Sequence, residues 1–224
     1  MIKKTFIQLL LLTAFNANAL DLFKVDYTVL KDGKKIGISS MEVAYETPFY
    51  TLTNQTNGTH GMASFLGFKR TEKTLFTEDD GNLSVKSYDM TQKVAFSKRH
   101  SEYAVDSKQQ LAVGNYKGDE WQLAVPSEYS SPNLVALNLA KDICAGKTEN
   151  LNYKVVKGGK LKEYKFSVKS SVDGIIEVDK IHSKASRITK TWFDTNQQCI
   201  AIKTYHIEKG QDPLETKLVK YTTY

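Results

Sequence analysis

Cysteine, proline and long hydrophobic runs are scarce in this sequence of 224 residues. Its 2 cysteines are too few for a disulfide-rich scaffold or a cysteine-rich zinc module. After the N-terminal segment no run of about 18 apolar residues occurs, so no membrane-spanning helix is predicted in the rest of the chain. The chain is nevertheless 41% hydrophobic, with 12 Tyr and 10 Phe, which excludes a disordered or collagen-like protein.

Arginine is also rare. Of 31 basic side chains only Arg70, Arg99 and Arg187 are arginine, the residue whose planar fork suits phosphate and base recognition. The lysines are interspersed with acidic residues, as in Lys160-Leu161-Lys162-Glu163, and form none of the basic stripes typical of nucleic-acid-binding proteins. We therefore interpret the net charge of +6 as a solvated surface and expect no nucleic-acid partner.

The motifs of common catalytic and metal sites are missing as well. The 4 histidines lack the usual metal-ligand spacings, and the sequence contains no H-E-x-x-H, C-x-x-C, G-x-S-x-G or S-x-x-K motif. These observations favour a protein that is not an enzyme and that needs no metal or other cofactor. A hydrolase whose site residues lie far apart in the sequence is the alternative, because catalytic triads are defined in space.

The first 19 residues have the three parts of a secretory signal peptide. Lys3 and Lys4 precede the apolar segment Phe6–Phe15, and Ala17-Asn18-Ala19 supplies the small residues of a cleavage site. The alternative is a buried N-terminal helix. We predict cleavage after Ala19, a periplasmic location without a lipid anchor, and one β-rich domain over 20–224.

Export would place the only two cysteines, Cys144 and Cys199, in an oxidising compartment. A single disulfide between them is therefore expected. The alternative, a reactive thiol, lacks both a C-x-x-C motif and a histidine beside either cysteine.

Short segments of alternating polarity dominate the chain from Leu20 onward. Phe23, Val25, Tyr27 and Val29 fall on one face of a predicted strand, and the following Asp32-Gly33 predicts a hairpin turn. The same rhythm continues to the C-terminus and predicts about fourteen strands. No linker rich in proline, glycine or serine divides them.

One segment departs from this rhythm. Ser131 is predicted to cap a helix, Pro132 to open it and Gly146 to end it, which gives one short α-helix near residues 132–144. One helix cannot cover both faces of a large sheet. We therefore predict a mainly β fold: a curled antiparallel sheet, as an open β-barrel or β-spiral, with the helix plugging or flanking the curl.

The segment Gly58–Phe68 is unusually apolar for a connection between two strands. Met62, Phe65, Leu66 and Phe68 are predicted to form a mobile lip over a ligand cavity. The alternative is a bend whose apolar side chains fold into the mouth of the barrel.

Several short motifs resemble an exported bacterial family, the domain of unknown function 3108. They are Phe23–Tyr27 followed by Asp32–Gly37, Arg70–Phe76, and Trp192–Asp194 followed by Ile200–Lys203. The resemblance implies a periplasmic β-rich protein without an assigned reaction, and it supplies no catalytic residues.

Together these features favour a non-enzymatic envelope protein that binds an apolar or lipid ligand, or a partner segment, in the concave side of its sheet. The alternatives are docking on an envelope protein or an anionic glycan through a lysine-rich face, and the dispersed hydrolase.

Overall fold

The computed structural model describes residues 20–224, so the expected signal peptide and its cleavage site at Ala19 lie outside the described residues. The described part contains fourteen strands, two α-helices and a 3₁₀-helix, Thr195–Gln197, between the twelfth and thirteenth strands. The strands are β1 (Phe23–Lys31), β2 (Lys34–Glu46), β3 (Phe49–Gly58), β4 (Lys69–Asp79), β5 (Asn82–Val94), β6 (Ser97–Asp106), β7 (Leu111–Tyr116), β8 (Asp119–Ala124), β9 (Asn152–Lys157), β10 (Lys160–Val172), β11 (Ile175–Ile181), β12 (Arg187–Asp194), β13 (Ile200–Glu208) and β14 (Leu214–Thr223). The α-helices are α1 (Gly61–Phe65) and α2 (Leu134–Cys144).

All fourteen strands belong to one antiparallel sheet with the order β8-β7-β6-β5-β4-β3-β2-β1-β14-β13-β12-β11-β10-β9. Neighbouring strands are consecutive in sequence except at the centre, where β1 pairs with β14 and Phe23 lies opposite Thr223. The edge strands β8 and β9 are not paired with each other, so the sheet is not closed. The predicted mainly β, curled antiparallel fold is confirmed.

Tight turns with two left-handed residues join many of these strands. Asp32 and Gly33 have φ values of 49° and 71°, the backbone of the turn whose twist matches the flanking strands. This confirms the predicted Asp-Gly hairpin, and Asp80-Gly81 repeats the same pair of positive φ angles.

The two edges of the sheet approach each other through loops. The Ser130 backbone N–H donates to the Lys154 carbonyl at 2.8 Å, and the Val156 N–H donates to the Ser130 carbonyl at 3.1 Å, so the segment after β8 runs beside β9. In the β9–β10 turn, a Cβ on Gly159 would lie 2.8 Å from Cγ of Trp121 in β8. These contacts roll the sheet into an open barrel.

Helix α2 begins two residues later than the sequence predicts. Pro132 lies before the first helical residue, Leu134, and Asn133 is the residue that precedes the helix. Ser131 still accepts a hydrogen bond at its Oγ from the Leu134 backbone N–H at 3.3 Å. The predicted end of the helix at residue 144 is confirmed.

The helix contacts both halves of the curled sheet. Leu134 and Leu137 belong to a core cluster with Phe76 and other side chains of β2–β8. Nearly two turns after Leu137, Ile143 packs in a second cluster with Phe193 and other side chains of the later strands. Helix α2 therefore lies inside the curled sheet and joins its two halves.

Helix α1 was not expected from the sequence, which predicted a single helix. It spans five residues between β3 and β4, too few for an apolar repeat of helical period to be visible. Backbone hydrogen bonds from Thr59 and His60 to the Ile36 carbonyl, at 2.9 and 3.2 Å, tie the segment to β2.

Alternating strand directions place the connections at two ends of the barrel. We call the end with the β3–β4 connection the α1 end, and the end with the β8–β9 connection the α2 end. No helix in residues 20–224 has the length and hydropathy needed to cross a membrane.

Candidate functional site

A groove of about 820 Å³ opens at the α2 end, between helix α2 and the strands β1, β13 and β14. Ala136, Leu137 and Ala140 form its wall on the helix. On the sheet side the groove is lined by apolar and aromatic side chains: Phe23, Met41, Phe193, Ile200, Ala201 and Tyr221. The groove exists because α2 lies across the concave face without filling it on this side, where Ala136 and Ala140 are too small to reach the strands.

The predicted disulfide is confirmed and forms part of the groove wall. Cys144, the last residue of α2, is bonded to Cys199, which directly precedes β13, with their Cα atoms 5.5 Å apart. Cys199 is fully buried. The bond therefore fixes the end of α2 to the sheet and sets the width of the groove at this point.

The groove rim is predominantly acidic. Asp21, Glu78 and Asp80 lie along it, and the one basic side chain in the lining, Lys141, donates from Nζ to the Gly81 carbonyl at 2.6 Å. Burial and, after it, the Asp21 carboxylate raise the pKa of Tyr221, which stays neutral at the groove. The rim thus repels anions, whereas the interior is apolar.

A buried polar network fixes the other end of α2. The Thr74 hydroxyl lies 2.7 Å from Ser131 Oγ and donates to Asn133 Oδ1 at 2.6 Å. Asn133 Nδ2 in turn donates to the Leu52 carbonyl at 3.3 Å. Because the interior has a low dielectric, these paired groups hold the start of α2 against β3 and β4 in one arrangement.

A second buried group, Glu72, is engaged by its neighbours. Tyr88 donates its hydroxyl to Glu72 Oε1 at 2.8 Å, and Arg70 donates to the same oxygen and to Gln92 Oε1. Burial, with the nearby Glu72 charge as the second cause, raises the pKa of Tyr88 well above its usual range. The carboxylate is held as a structural acceptor inside the barrel.

The four histidines do not converge on the groove. His60 precedes α1, and His100 lies on β6 with Nε2 2.7 Å from Asp89 Oδ2 and 3.9 Å from Glu102 Oε2. Within the described residues, Asp89, His100 and Glu102 are the one group of three metal-ligating side chains close enough to hold an ion. Sequence spacing missed them because strand pairing between β5 and β6 brings them together.

His182 and His206 flank the Thr189 hydroxyl near the α1 end, at 2.8 and 2.7 Å. Burial and the neighbouring Lys180 lower the pKa of His182. Lys180 itself lies with Nζ 3.2 Å from the centre of the Tyr164 ring, and burial lowers its pKa to about 8. His182, Thr189 and His206 thus form a hydrogen-bonded cluster on the later strands, at the end of the barrel opposite the groove.

The four residues predicted to form an apolar lip lie at the α1 end and do not line the groove. Met62 and Phe65 on α1 are 66% and 83% exposed, whereas Leu66 and Phe68 are half-buried. Their role in ligand binding stays a prediction. The groove residues were missed because Leu137 and Ile200 have the patterns of ordinary core positions, and only the adjacent cysteines pointed to this part of the fold.

Charge is unevenly divided between the two ends. For this count, each end of the barrel consists of its connections and the two strand residues on either side of every connection. The α1 end then has 14 Lys or Arg and 6 Asp or Glu. The same count at the α2 end gives 3 basic and 10 acidic residues. Lysines that look dispersed along the sequence are therefore concentrated at one end of the folded molecule.

No family model matches the sequence, and no curated protein matches it. The membership expected in the domain of unknown function 3108 is therefore not confirmed. The structure is similar to the crystal structure of a β-barrel-like protein of the domain of unknown function DUF1849 from Brucella abortus, with a TM-score of 0.57. The two chains are 12% identical, and the match covers 92% of this chain and 98% of that chain. The similarity establishes a shared β-barrel-like fold.

Proposed function

We propose that this chain is a non-enzymatic periplasmic protein of the cell envelope that binds an apolar ligand in the groove beside α2. The observation that carries the proposal is the groove itself. Its volume of about 820 Å³ falls within the range of roughly 300–1,000 Å³ of small-molecule sites. Its apolar wall, with Leu137, Phe193 and Ile200, favours holding a hydrocarbon group.

The acidic rim defines the class of ligand. Asp21, Glu78 and Asp80 surround the opening, so an anionic head group would lie against like charges. A neutral or cationic amphiphile can place its chain inside and its head at the rim without that repulsion. We therefore propose an apolar molecule with a neutral or cationic head.

Two features support a periplasmic location. The N-terminal segment has the pattern of a cleaved export signal, and a disulfide is typical of proteins from oxidising compartments. Leu20, which would follow the cleavage site, lies in the groove lining.

Titration with N-phenyl-1-naphthylamine, a neutral apolar dye that fluoresces in hydrocarbon surroundings, tests the proposal. Ala136 is exposed in the groove wall, so Ala136→Trp should fill the groove without disturbing the core and weaken dye binding at least tenfold. Val113→Trp places the same ring on an exposed position of β7 and should leave binding unchanged. Dodecyltrimethylammonium should displace the dye better than dodecyl sulfate does.

The proposal is wrong if the purified protein does not enhance the dye's fluorescence, or if the two tryptophan variants bind it equally well. Thermal unfolding monitored by circular dichroism checks that both variants fold.

A further inference from the structure

The α1 end combines exposed apolar side chains with a concentration of lysine. Phe96, in the two-residue turn between β5 and β6, is fully exposed, and Met62 and Phe65 project from α1. The Ala95 backbone N–H donates to the Leu66 carbonyl at 2.6 Å, so the turn and the helix lie against each other. We call Met62, Phe65 and Phe96 the apolar tip.

Turn geometry does not explain the residues of the β5–β6 turn. Ala95 has a φ of 50°, a conformation for which glycine and asparagine are the favoured residues. A fully exposed phenylalanine beside it contributes nothing to a two-residue turn and nothing to the core. Together with Met62 and Phe65 it adds to a patch of exposed apolar surface, and such patches are typical of sites that contact a membrane or another molecule.

A row of lysines stands directly behind the tip. Lys69, Lys93 and Lys98 occupy paired positions on β4, β5 and β6, each opposite the next. All three are exposed, and within residues 20–224 none of them forms a salt bridge. Like charges directly opposite one another destabilise a sheet, so this row costs the isolated protein stability.

We propose that the α1 end docks on an anionic lipid bilayer, with the apolar tip in the interface and the lysine row on the lipid phosphates. The charge complementarity is direct, because this end is strongly basic and the opposite end is acidic. A basic surface with protruding apolar residues is the combination that holds peripheral proteins at an anionic interface.

The spacing suits a bilayer. Lys93 and Lys98 lie one residue pair behind Val94 and Ser97, the last pair before the turn that holds Phe96, so the lysine row stands roughly 7 Å behind the turn along the strands. Apolar groups of interfacial segments reach about 5–10 Å into the boundary between head groups and acyl chains. The lysine side chains then lie at the phosphates when Phe96 reaches the acyl chains. Docked in this way, the barrel points its groove away from the membrane surface.

Sedimentation with vesicles tests the proposal. The purified protein should bind vesicles of one part phosphatidylglycerol to three parts phosphatidylethanolamine and not vesicles of phosphatidylcholine. Phe65→Ser/Phe96→Ser should weaken the binding at least tenfold, since two exposed aromatic rings no longer enter the interface. Val172→Ser, which alters a 62% exposed side chain at the α2 end, is the apolar control and should bind normally.

The charge contribution has its own matched pair. Added salt should weaken the binding of the unmodified protein to vesicles, because it screens the lysine charges. The variant Lys69→Gln/Lys93→Gln/Lys98→Gln should not bind the vesicles at all. The control variant replaces three exposed lysines outside the α1 end with glutamine: Lys108, Lys169 and Lys220. It loses the same number of charges and should keep most of the vesicle binding.

A reporter variant locates the contact. Phe96→Trp should shift its emission to shorter wavelength on vesicles and be quenched by brominated acyl chains. The proposal is overturned if the protein does not bind phosphatidylglycerol vesicles, if both lysine variants lose binding equally, or if the phenylalanine variant binds normally. Normal binding by the phenylalanine variant would mean that the α1 end binds anions in general, such as an acidic glycan or protein. Ala136→Trp should bind vesicles normally, so failure of the groove proposal and failure of this one are separable.

Discussion

Removing the Cys144–Cys199 disulfide is the perturbation whose size follows most directly from the structure. The bonded cysteines are 55 residues apart in sequence. In the chain-entropy account, closing a loop of this length destabilises the unfolded chain by about 4 kcal/mol at 25 °C. For a domain of this size, a loss of that magnitude lowers Tm by roughly 8–16 °C.

Two versions of the experiment separate the bond from the sulfur atoms. Reduction of the protein by a phosphine breaks the bond and leaves every side chain in place. Cys144→Ala/Cys199→Ala also removes the fully buried Cys199 sulfur, so it should be the less stable of the two. Both should remain folded, because Leu134, Leu137 and Ile143 still anchor α2 in the core.

Urea unfolding at pH 7, followed by both tryptophan fluorescence and circular dichroism, measures the effect. Coincident transitions with a free energy of unfolding lowered by about 4 kcal/mol would agree with the loop argument. If reduction lowers the free energy of unfolding by less than about 1 kcal/mol, the loop argument is refuted, because the bond would then restrict the unfolded chain very little. Separate transitions would mean that α2 detaches before the sheet unfolds.

Two further predictions concern the turn that meets β8 and the response to alkaline pH. Gly159→Ala should lower the free energy of unfolding, measured in urea, by at least about 1 kcal/mol. The φ of Gly159 is +70°, and a Cβ at this position would lie 2.8 Å from Trp121. Gly210→Ala is the control for backbone strain alone, because Gly210 has a φ of +79° and open space around it. Burial lowers the pKa of Lys180 to about 8, so the folded state releases this proton before the unfolded state does. The free energy of unfolding should therefore rise between about pH 8 and 10. Above pH 10 it should fall, because burial raises the pKa of Tyr103 and the unfolded chain loses that proton first. A titration midpoint of Lys180 near 10.5, measured by NMR, would contradict the predicted rise.

Local sequence patterns were sufficient to predict the strands, the Asp32-Gly33 turn and the position of α2. Each of these depends on neighbouring residues, through side-chain alternation, turn conformation or helix caps. The disulfide was also predictable, because the sequence has only two cysteines and its N-terminal pattern predicted an oxidising compartment, which leaves one pairing. Helix α1 was missed since five residues carry no helical periodicity.

The groove and the charge separation were not predictable in the same way. Ala136 and Ile200 are 64 positions apart in sequence and share a groove because α2 crosses the sheet near the start of β13. Likewise, Lys69, Lys93 and Lys98 look like dispersed surface charges in the sequence, and strand pairing places them side by side. Register and topology decide both features, and neither is written in any local pattern.

The single ladder between β1 and β14 has a consequence for how the molecule folds. Every other ladder joins strands that are consecutive in sequence, so each can form by closing a short loop. The pairing of Phe23 with Thr223 brings together nearly the whole length of the chain. Because closing a long loop costs entropy before its contacts form, we expect two meanders, β1–β8 and β9–β14, to assemble early and their docking along β1 and β14 to limit the folding rate.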